Sequence, residues 1–220
     1  MKVTKVVMLK IQEVIGLENT FRTLDDEKKR RIINSALEEF SLNKYEKAST
    51  NAIVKNAGIS KGSLFQYFAN KQALYDYLGA FTIEVMLEAI QKEMGFRERD
   101  LFERIRKIAL IKIGVAAEYP YIIPFSKVMY EQISVDEIKK KVEAEYPNIY
   151  ENMYFKNIDF GLFKEDMDIH KSIEIVQWTL ERIMDDYMKD ILARDKAINM
   201  EELRLLIDSY LSTLKKAFYK

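Results

Sequence analysis

The side chains best suited to recognition chemistry lie within residues 49–71, which read STNAIVKNAGISKGSLFQYFANK. Lys61 can donate to the O6 and N7 atoms of guanine, and Gln66 can pair with the N6 and N7 atoms of adenine. Gly62 removes a side chain where a backbone must approach closely, and Ser63 is short and can donate a hydrogen bond. These residue types on one short helix indicate contact with the base edges of DNA.

Two short helices joined by a tight turn would position these side chains. Ser49 or Thr50 can cap the first helix, and Gly58 can adopt the left-handed conformation that ends it. Ser60 can then cap the second helix. Because a turn of about three or four residues containing Gly joins the helices of a helix-turn-helix, we predict that motif here.

The apolar residues divide the second helix into two sides. Leu64 and Phe68 are four residues apart, so they share one face and leave the other free. The N-termini of the two helices and nearby side chains would hold the register on phosphate groups. The predicted DNA-binding residues are Thr50, Ser60, Lys61, Gly62, Ser63, Gln66, Tyr67 and Lys71. In the alternative interpretation, Ser60 is only a cap, Tyr67 is partly core and Lys71 is merely solvated.

The charges of the 220-residue chain sum to zero but are unevenly distributed. Residues 1–80 carry 13 Lys and Arg against 9 Asp and Glu, and the remaining residues carry 22 against 26. Between residues 44 and 71, five lysines are opposed by a single carboxylate, that of Glu46. A local positive patch on a neutral chain fits a partner bound at one end, such as a phosphate backbone. A cluster of charges is, however, often only a solvated face.

The composition argues against most enzyme classes. The sequence has one His, His170, and no Cys, so it cannot build a multi-His or thiolate metal site. Neither G-x-x-x-x-G-K nor G-x-G-x-x-G, the common phosphate and dinucleotide motifs, occurs in it. No apolar run approaches the roughly 18 residues of a membrane span, and the N-terminus lacks a signal-peptide cleavage site. We expect a cytoplasmic protein that is not an enzyme and that needs no metal or cofactor.

The segments IINSALEEF and KASTNAIVKNAGISKGSLFQYFANKQALYDYL resemble the N-terminal domain of the TetR family of bacterial transcriptional regulators. The resemblance covers residues 25 to about 80, and AGISKGSLFQYFANKQALY is its most specific part. It implies that the predicted positions contact DNA, that an inducer binds in the C-terminal domain and that the chain acts as a dimer. The segment before the first helix is longer than is usual in the family, and Val54 stands where many members have Ala.

Few helix-breaking residues occur, because the chain has only 7 Gly and 3 Pro, and this favours an all-α fold. We divide the chain into an N-terminal extension (1–24), a three-helix helix-turn-helix DNA-binding domain (25–71) and a larger helical effector-binding and dimerisation domain (72–220). Apolar residues at helical spacing within residues 1–20 suit an arm that packs on a neighbour. A frayed terminus is the equal alternative.

The two C-terminal segments, IHKSIEIVQWTLERIMDDYMKDIL and MEELRLLIDSYLSTLKKAF, are strongly amphipathic. The apolar stripe of the second comprises Met200, Leu203, Ile207, Tyr210, Leu211, Leu214 and Phe218. Since one helix-turn-helix buries too little surface for specific binding, we expect a homodimer through these two helices. A two-fold dimer predicts a palindromic operator, with recognition helices about 34–36 Å apart.

Ten aromatic residues lie between residues 119 and 163. Aromatic walls with a few polar tips suit a pocket for a small hydrophobic or cationic molecule, although core filling explains any one of them equally well. The ligand-binding candidates are Phe102, Phe125, Tyr130, Met153 and Trp178.

The leading interpretation is a TetR-like repressor released from its operator by such a ligand, through a tilt of the long helix that starts at Lys71. An activator, or a regulator without a ligand, would carry the same motif. The alternative from another class is an all-helical ligand-binding or protein-interaction module without operator function.

Overall fold

A computed structural model describes residues 19–94, 96–130, 140, 142–144, 146–194, 196 and 198–220. Within these ranges the chain is helical and contains no strand, and one isolated β-bridge pairs Phe163 with Tyr219. The predicted all-α fold is confirmed. The prediction of an arm or a frayed terminus concerns residues 1–20, of which only the last two are described. The side chain of Tyr130, a ligand-binding candidate, also lies outside the described part of the chain.

The described α-helices range from 4 to 25 residues in length. In chain order they are α1 (Asn19–Arg22), α2 (Asp26–Lys47), α3 (Thr50–Ala57), α4 (Lys61–Tyr67), α5 (Lys71–Glu93), α6 (Leu101–Glu118), α7 (Ile122–Tyr130), α8 (Ile149–Tyr154), α9 (Ile169–Ala193) and α10 (Met200–Phe218). A short 3-10 helix, Phe160–Leu162, precedes α9.

The chain forms two compact units. The first contains the described residues of Met1–Glu88 and Glu118–Glu145, and the second contains those of Ala89–Ala117 and Tyr146–Lys220. The first unit therefore holds the predicted helix-turn-helix together with α7, a helix from much later in the chain. The three sequence-based domains, with boundaries after residues 24 and 71, stay predictions.

An aromatic cluster fills part of the core of the first unit. The Phe40 ring lies 6.1 Å from Tyr45, 5.1 Å from Tyr75 and 6.4 Å from Phe125, measured between centroids. Phe40 and Phe125 are both fully buried. Because Phe125 belongs to α7, this helix supplies core to α2, the long helix that leads into the helix-turn-helix.

Two polar side chains of α2 also bind the backbone that leads into α7. The Asn34 amide donates a hydrogen bond to the carbonyl oxygen of Glu118 at 3.1 Å. The Ser41 hydroxyl lies 2.6 Å from the carbonyl oxygen of Leu37 and 3.4 Å from that of Tyr121. These two hydrogen bonds join α2 to residues that lie 84 and 80 positions later in the sequence.

The second unit contains a fully buried cation, Arg104. Its guanidinium donates to the carbonyl oxygens of Phe96, Glu98, Asn152 and Lys156. A buried charge is stable only when hydrogen bonds replace its water. Arg104 therefore ties the segment that follows α5 to the end of α8 inside this unit.

An ion pair joins α6 to α10 within the second unit. Arg106 Nε lies 2.5 Å from Asp208 Oδ1, and Arg106 Nη2 lies 3.0 Å from Asp208 Oδ2. The hydrogen bond from Arg106 lowers the pKa of the Asp208 carboxyl below its ordinary value. Such a bidentate pair fixes the orientation of both side chains, and hence the register of the two helices.

Helices α9 and α10 pack against each other. Leu203, Ile207 and Leu211 of α10 are buried, as the apolar stripe predicts. Among the described residues no single helix is long and apolar enough to cross a membrane, and one consecutive pair, Leu101–Glu118 with Ile122–Met129, meets that criterion only jointly.

Candidate nucleic-acid interface

Helix α3 and the turn after it form as the sequence predicts. The hydroxyl of Ser49 accepts a hydrogen bond from the backbone N–H of Ala52 at 3.4 Å and so caps α3. Gly58 ends the helix with φ +67° and ψ +38°, a left-handed conformation that glycine adopts without steric cost. The predicted cap and stop are confirmed.

Helix α4 begins at a second serine cap. The Ser60 hydroxyl oxygen accepts from the backbone N–H of Ser63 at 3.0 Å, and the two hydroxyl oxygens lie 2.8 Å apart. Both hydroxyls are thus engaged with each other in the free protein. Ser60 is therefore a helix cap, and its predicted contact with DNA stays a prediction.

Helix α4 has one buried side and one exposed side. Leu64 and Phe68 are each 1% exposed, which confirms that they pack inward. Lys61, Gly62 and Gln66 are exposed to solvent, and Ser63 is half-buried. The side chains predicted to reach base edges are therefore directed away from the core of the first unit.

The surroundings of Gly62 show that the fold itself does not require a glycine there. A Cβ atom added at this position would meet only Ser60 Oγ, at 3.7 Å, which is an ordinary contact. Glycine within a helix costs about 1 kcal/mol relative to alanine. The fold therefore gives no reason for a glycine at this position, and the close approach of a partner to Gly62 stays a prediction.

Tyr67 does not lie on the exposed side of α4. It is only 7% exposed, and its ring centroid lies 5.7 Å from that of Phe21. The Nζ atom of Lys28 lies 5.9 Å from the same ring centroid. The sequence analysis predicted that Tyr67 faces DNA. The structure instead places its ring in the core, which agrees with the alternative interpretation that Tyr67 is partly core.

Thr50 and Lys71 lie at the first residues of α3 and α5, and both are half-buried. Lys71 Nζ lies 3.4 Å from the carbonyl oxygen of Glu46 and 4.7 Å from the centroid of the Tyr45 ring. This ammonium group is thus held by the end of α2 rather than simply solvated. A phosphate contact by Lys71 would have to replace or share these interactions.

One exposed residue of α4, Phe65, is missing from the predicted set. It is 39% exposed, and Lys61 Nζ lies 6.0 Å from its ring centroid. An exposed aromatic ring on such a helix can contact the methyl group of thymine. The sequence signal was available, because Phe65 is adjacent to the inward-facing Leu64 and so cannot share its face.

Uncompensated positive charge surrounds α4. Lys47, Lys55 and Lys61 are exposed, and among the described residues none of the three forms an ion pair with a carboxylate. Lysines without acidic partners are available to phosphate groups. The predicted positive patch is thus present at the helix-turn-helix.

The ligand-binding candidates are divided between the two units. Phe125 lies in the first unit, and Phe102 and Met153 lie in the second. Phe102 is buried against the rings of Phe218 and Tyr219. All three side chains are buried in the core of their units. The ligand pocket that they were predicted to line stays a prediction.

Trp178 is 63% exposed on α9. So much exposure does not suit the wall of an enclosed pocket, and the prediction that placed Trp178 there needs correction on this point. The exposed ring suits an interface instead.

A shallow cleft of about 300 Å³ lies in the first unit. It is lined by Arg30, Arg31, Asn34, Ser35, Glu38, Asn56, Pro120 and Tyr121. This lining differs from the aromatic walls that the sequence predicted for a ligand pocket. Within the described part of the chain, no three His, Asp or Glu side chains form a group that could hold a metal ion.

Comparison with known proteins identifies the helix-turn-helix. Residues 32–78 match the model of the family described as bacterial regulatory proteins, tetR family. This segment of the chain is similar to the tetR family of bacterial regulatory proteins. The match contains α3, α4, the turn between them and the start of α5, on which the predicted DNA contacts lie. Members of the family are transcriptional regulators and not enzymes.

Two curated proteins that this chain resembles come from Bacillus subtilis (strain 168). A fatty acid metabolism regulator protein is 23% identical over 181 residues, which cover 76% of this chain and 90% of the relative. An uncharacterized HTH-type transcriptional regulator, YdgC, is 22% identical over 196 residues, which cover 82% and 91%. The similarity thus extends well beyond the helix-turn-helix.

Solved structures of TetR-family regulators share the fold. One from Chloroflexus aurantiacus J-10-FL has a TM-score of 0.59 at 22% identity, covering 93% of this chain and 99% of that one. The transcriptional regulator FadR from Bacillus subtilis, solved in complex with stearoyl-CoA, has a TM-score of 0.51 at 21% identity, covering 84% and 96%.

The buried position of Tyr67 can be tested by measuring stability. Tyr67→Ala should lower the free energy of unfolding by about 3 kcal/mol, because it removes a ring from the core. Tyr67→Phe should change it by less than about 1.5 kcal/mol. The matched control is Gln66→Ala, one position earlier and exposed, which should stay within about 0.5 kcal/mol of the parent. Urea denaturation measures all three, and a Tyr67→Ala variant as stable as the parent would place the ring on the surface.

Proposed function

We propose that this chain is a TetR-like transcriptional repressor that binds a palindromic operator through α4 and is released from it by a small ligand. The observation that carries the proposal is the two-sided structure of α4. Leu64 and Phe68 are buried under a solvent-facing side that carries Lys61, Gly62 and Gln66.

The exposed side of α4 has the chemistry needed for the major groove. Lys61 donates to guanine, Gln66 pairs with adenine, and Phe65 contacts a thymine methyl group. Gly62 allows the helix backbone to approach the base edges. Ser63 and the N-terminus of α4, where backbone N–H groups point outward, supply further donors.

Contacts to phosphates hold the register of the helix on the duplex. Thr50 at the start of α3, Ser60 at the start of α4 and the exposed Lys55 are the proposed groups. Lys71 joins them by exchanging its contact with the Glu46 carbonyl for a phosphate oxygen. Tyr67 takes part mainly by packing, since its ring is buried.

DNA binding is tested with duplexes that the wild-type chain selects from a random-sequence library. Affinity for the selected duplex should fall about a thousandfold or more between roughly 50 and 200 mM salt, because bound phosphates release counterions. A chain that selects no sequence would support an all-helical module without operator function and would exclude the repressor.

Two glycine variants separate binding from folding in the same assay. Gly62 and Gly114 are both exposed helical positions where an added Cβ meets no close neighbour, with Ser60 Oγ at 3.7 Å from the first and nothing within 4 Å of the second. Each change to alanine should raise the free energy of unfolding by up to about 1 kcal/mol. Only Gly62→Ala should weaken binding to the selected duplex, by about tenfold or more. Equal binding by both variants would contradict close approach at Gly62.

A homodimer through α9 and α10 is the second part of the proposal. Large apolar side chains on these two helices are exposed, with Ile175 at 40%, Trp178 at 63%, Leu205 at 55% and Tyr210 at 47%. Ile175 and Trp178 are three residues apart and share one face of α9. Exposed apolar patches of this kind mark interfaces between proteins.

Trp178→Glu should convert the dimer to a monomer at micromolar concentration, because it places a charge in the apolar interface. Analytical ultracentrifugation measures the change. Leu42→Glu is the matched control, since Leu42 is 65% exposed but lies in the first unit. A Trp178→Glu variant that sediments like the parent would place the interface elsewhere.

The effector is proposed to be a small hydrophobic or cationic molecule bound in the second unit. The FadR structure that shares the fold was solved in complex with stearoyl-CoA, which supports a long acyl chain over a cation. Helix α5 starts beside α4 and runs from the first unit into the second. A ligand that binds more tightly to one tilt of α5 would shift the population toward that state.

Stearoyl-CoA titrated into the complex of the chain with its selected duplex should release the duplex. Fluorescence anisotropy of labelled duplex measures the release. Coenzyme A without the acyl chain is the control and should leave the complex intact. Binding of stearoyl-CoA without any change in duplex affinity would contradict the proposed role of the effector.

A further inference from the structure

A short segment before α2 docks on the recognition helix. We call residues 19–24, which comprise α1 and two following residues, the hook. The Thr20 hydroxyl donates to the carbonyl oxygen of Gln66 at 3.4 Å. The Thr23 hydroxyl donates to the carbonyl oxygen of Thr20 at 3.1 Å and closes the hook on itself. The hook therefore contacts the last turn of α4, on the residue proposed to read adenine.

Phe21 is the anchor of the hook. It is 2% exposed, and its ring centroid lies 4.9 Å from that of Phe68, 5.7 Å from that of Tyr67 and 5.5 Å from that of Tyr77. Phe68 also lies 5.3 Å from Tyr77. Phe21 thus joins the end of α4 to the second turn of α5 through rings packed on three sides.

Helix α4 depends on such contacts for its orientation. It has seven residues, whereas isolated helices shorter than about 12–15 residues are marginal in water. Its start is held by the Ser60 cap and the turn at Gly58. Its end is held by Leu64 and Phe68 from within and by Phe21 from the side.

We propose that Phe21 is a positioning residue for the recognition helix, and that the hook sets the preference of this chain for specific over non-specific DNA. This inference rests on the proposed DNA-binding function. Non-specific binding arises mainly from phosphate contacts and tolerates small shifts of the protein. Contacts with base edges need the helix held within about half an ångström of its working geometry. A loosened C-terminal end of α4 would displace Gln66 while leaving the lysines around the helix in place.

The test compares Phe21→Ala with a core variant that does not touch α4. Phe40→Ala is the matched control, because Phe40 is fully buried in the first unit and its ring contacts are with Tyr45, Tyr75 and Phe125. Affinities for the duplex selected by the wild-type chain and for a random-sequence duplex are measured at a temperature where every variant is folded by circular dichroism.

Phe21→Ala should lose about tenfold or more in affinity for the selected duplex, comparable to the loss of one base-pair contact, and less than about twofold for the random duplex. Phe40→Ala should lose less than about twofold for either duplex. The conservative Phe21→Leu should recover most of the specific affinity. Equal losses for the two duplexes in Phe21→Ala, or an equal specific loss in Phe40→Ala, would overturn the inference and reduce Phe21 to a core residue.

Two further measurements keep the inference testable if Phe21→Ala does not fold. Thr20→Ala removes an exposed hydroxyl and leaves the core intact, so it should fold and lose specific affinity in the same direction. In Phe21→Leu, the backbone amide of Phe68, which bonds to the Leu64 carbonyl oxygen at 2.9 Å, should exchange with deuterium faster than in the parent. Unchanged specificity in Thr20→Ala together with unchanged exchange in Phe21→Leu would overturn the positioning role. A wild-type chain that selects no duplex would instead overturn the proposed function and this inference with it.

Discussion

The burial of Leu64 and Phe68 is the contact on which the recognition surface depends. Helix α4 is too short to persist alone, and these two side chains, each 1% exposed, hold it against the first unit. Burying a large apolar side chain contributes about 1.5–3 kcal/mol. The same packing leaves Lys61, Gly62 and Gln66 facing solvent. The stability of α4 and the solvent exposure of its other side therefore have one physical cause.

The first unit is built from distant parts of the chain. Phe125 and the Glu118 carbonyl contribute to the surroundings of α2, and Phe21 contributes to those of α4. The structure of the first unit thus depends on residues that lie outside the helix-turn-helix itself.

Sequence reasoning succeeded where the deciding atoms are close together in the chain. The caps at Ser49 and Ser60 and the left-handed Gly58 each depend on residues within about four positions, so residue type and spacing predict them. It failed for Tyr67, because the ring of Tyr67 packs against Phe21. These two residues are 46 positions apart in the sequence. Trp178 was assigned to a pocket because aromatic content does not distinguish a wall from an exposed face.

The sequence by itself determined the all-α fold, the helix-turn-helix and the two sides of α4, because these follow from helical periodicity, capping and a dense local motif. Only the tertiary structure decided that α7 shares the core of the first unit, that Lys71 rests on the Tyr45 ring and that Phe21 closes over α4. The physical reason is the distance along the sequence between the residues that come into contact. Helical patterning shows that a face is apolar, whereas the partner that covers it is selected by the shape and volume of side chains brought together from far along the chain.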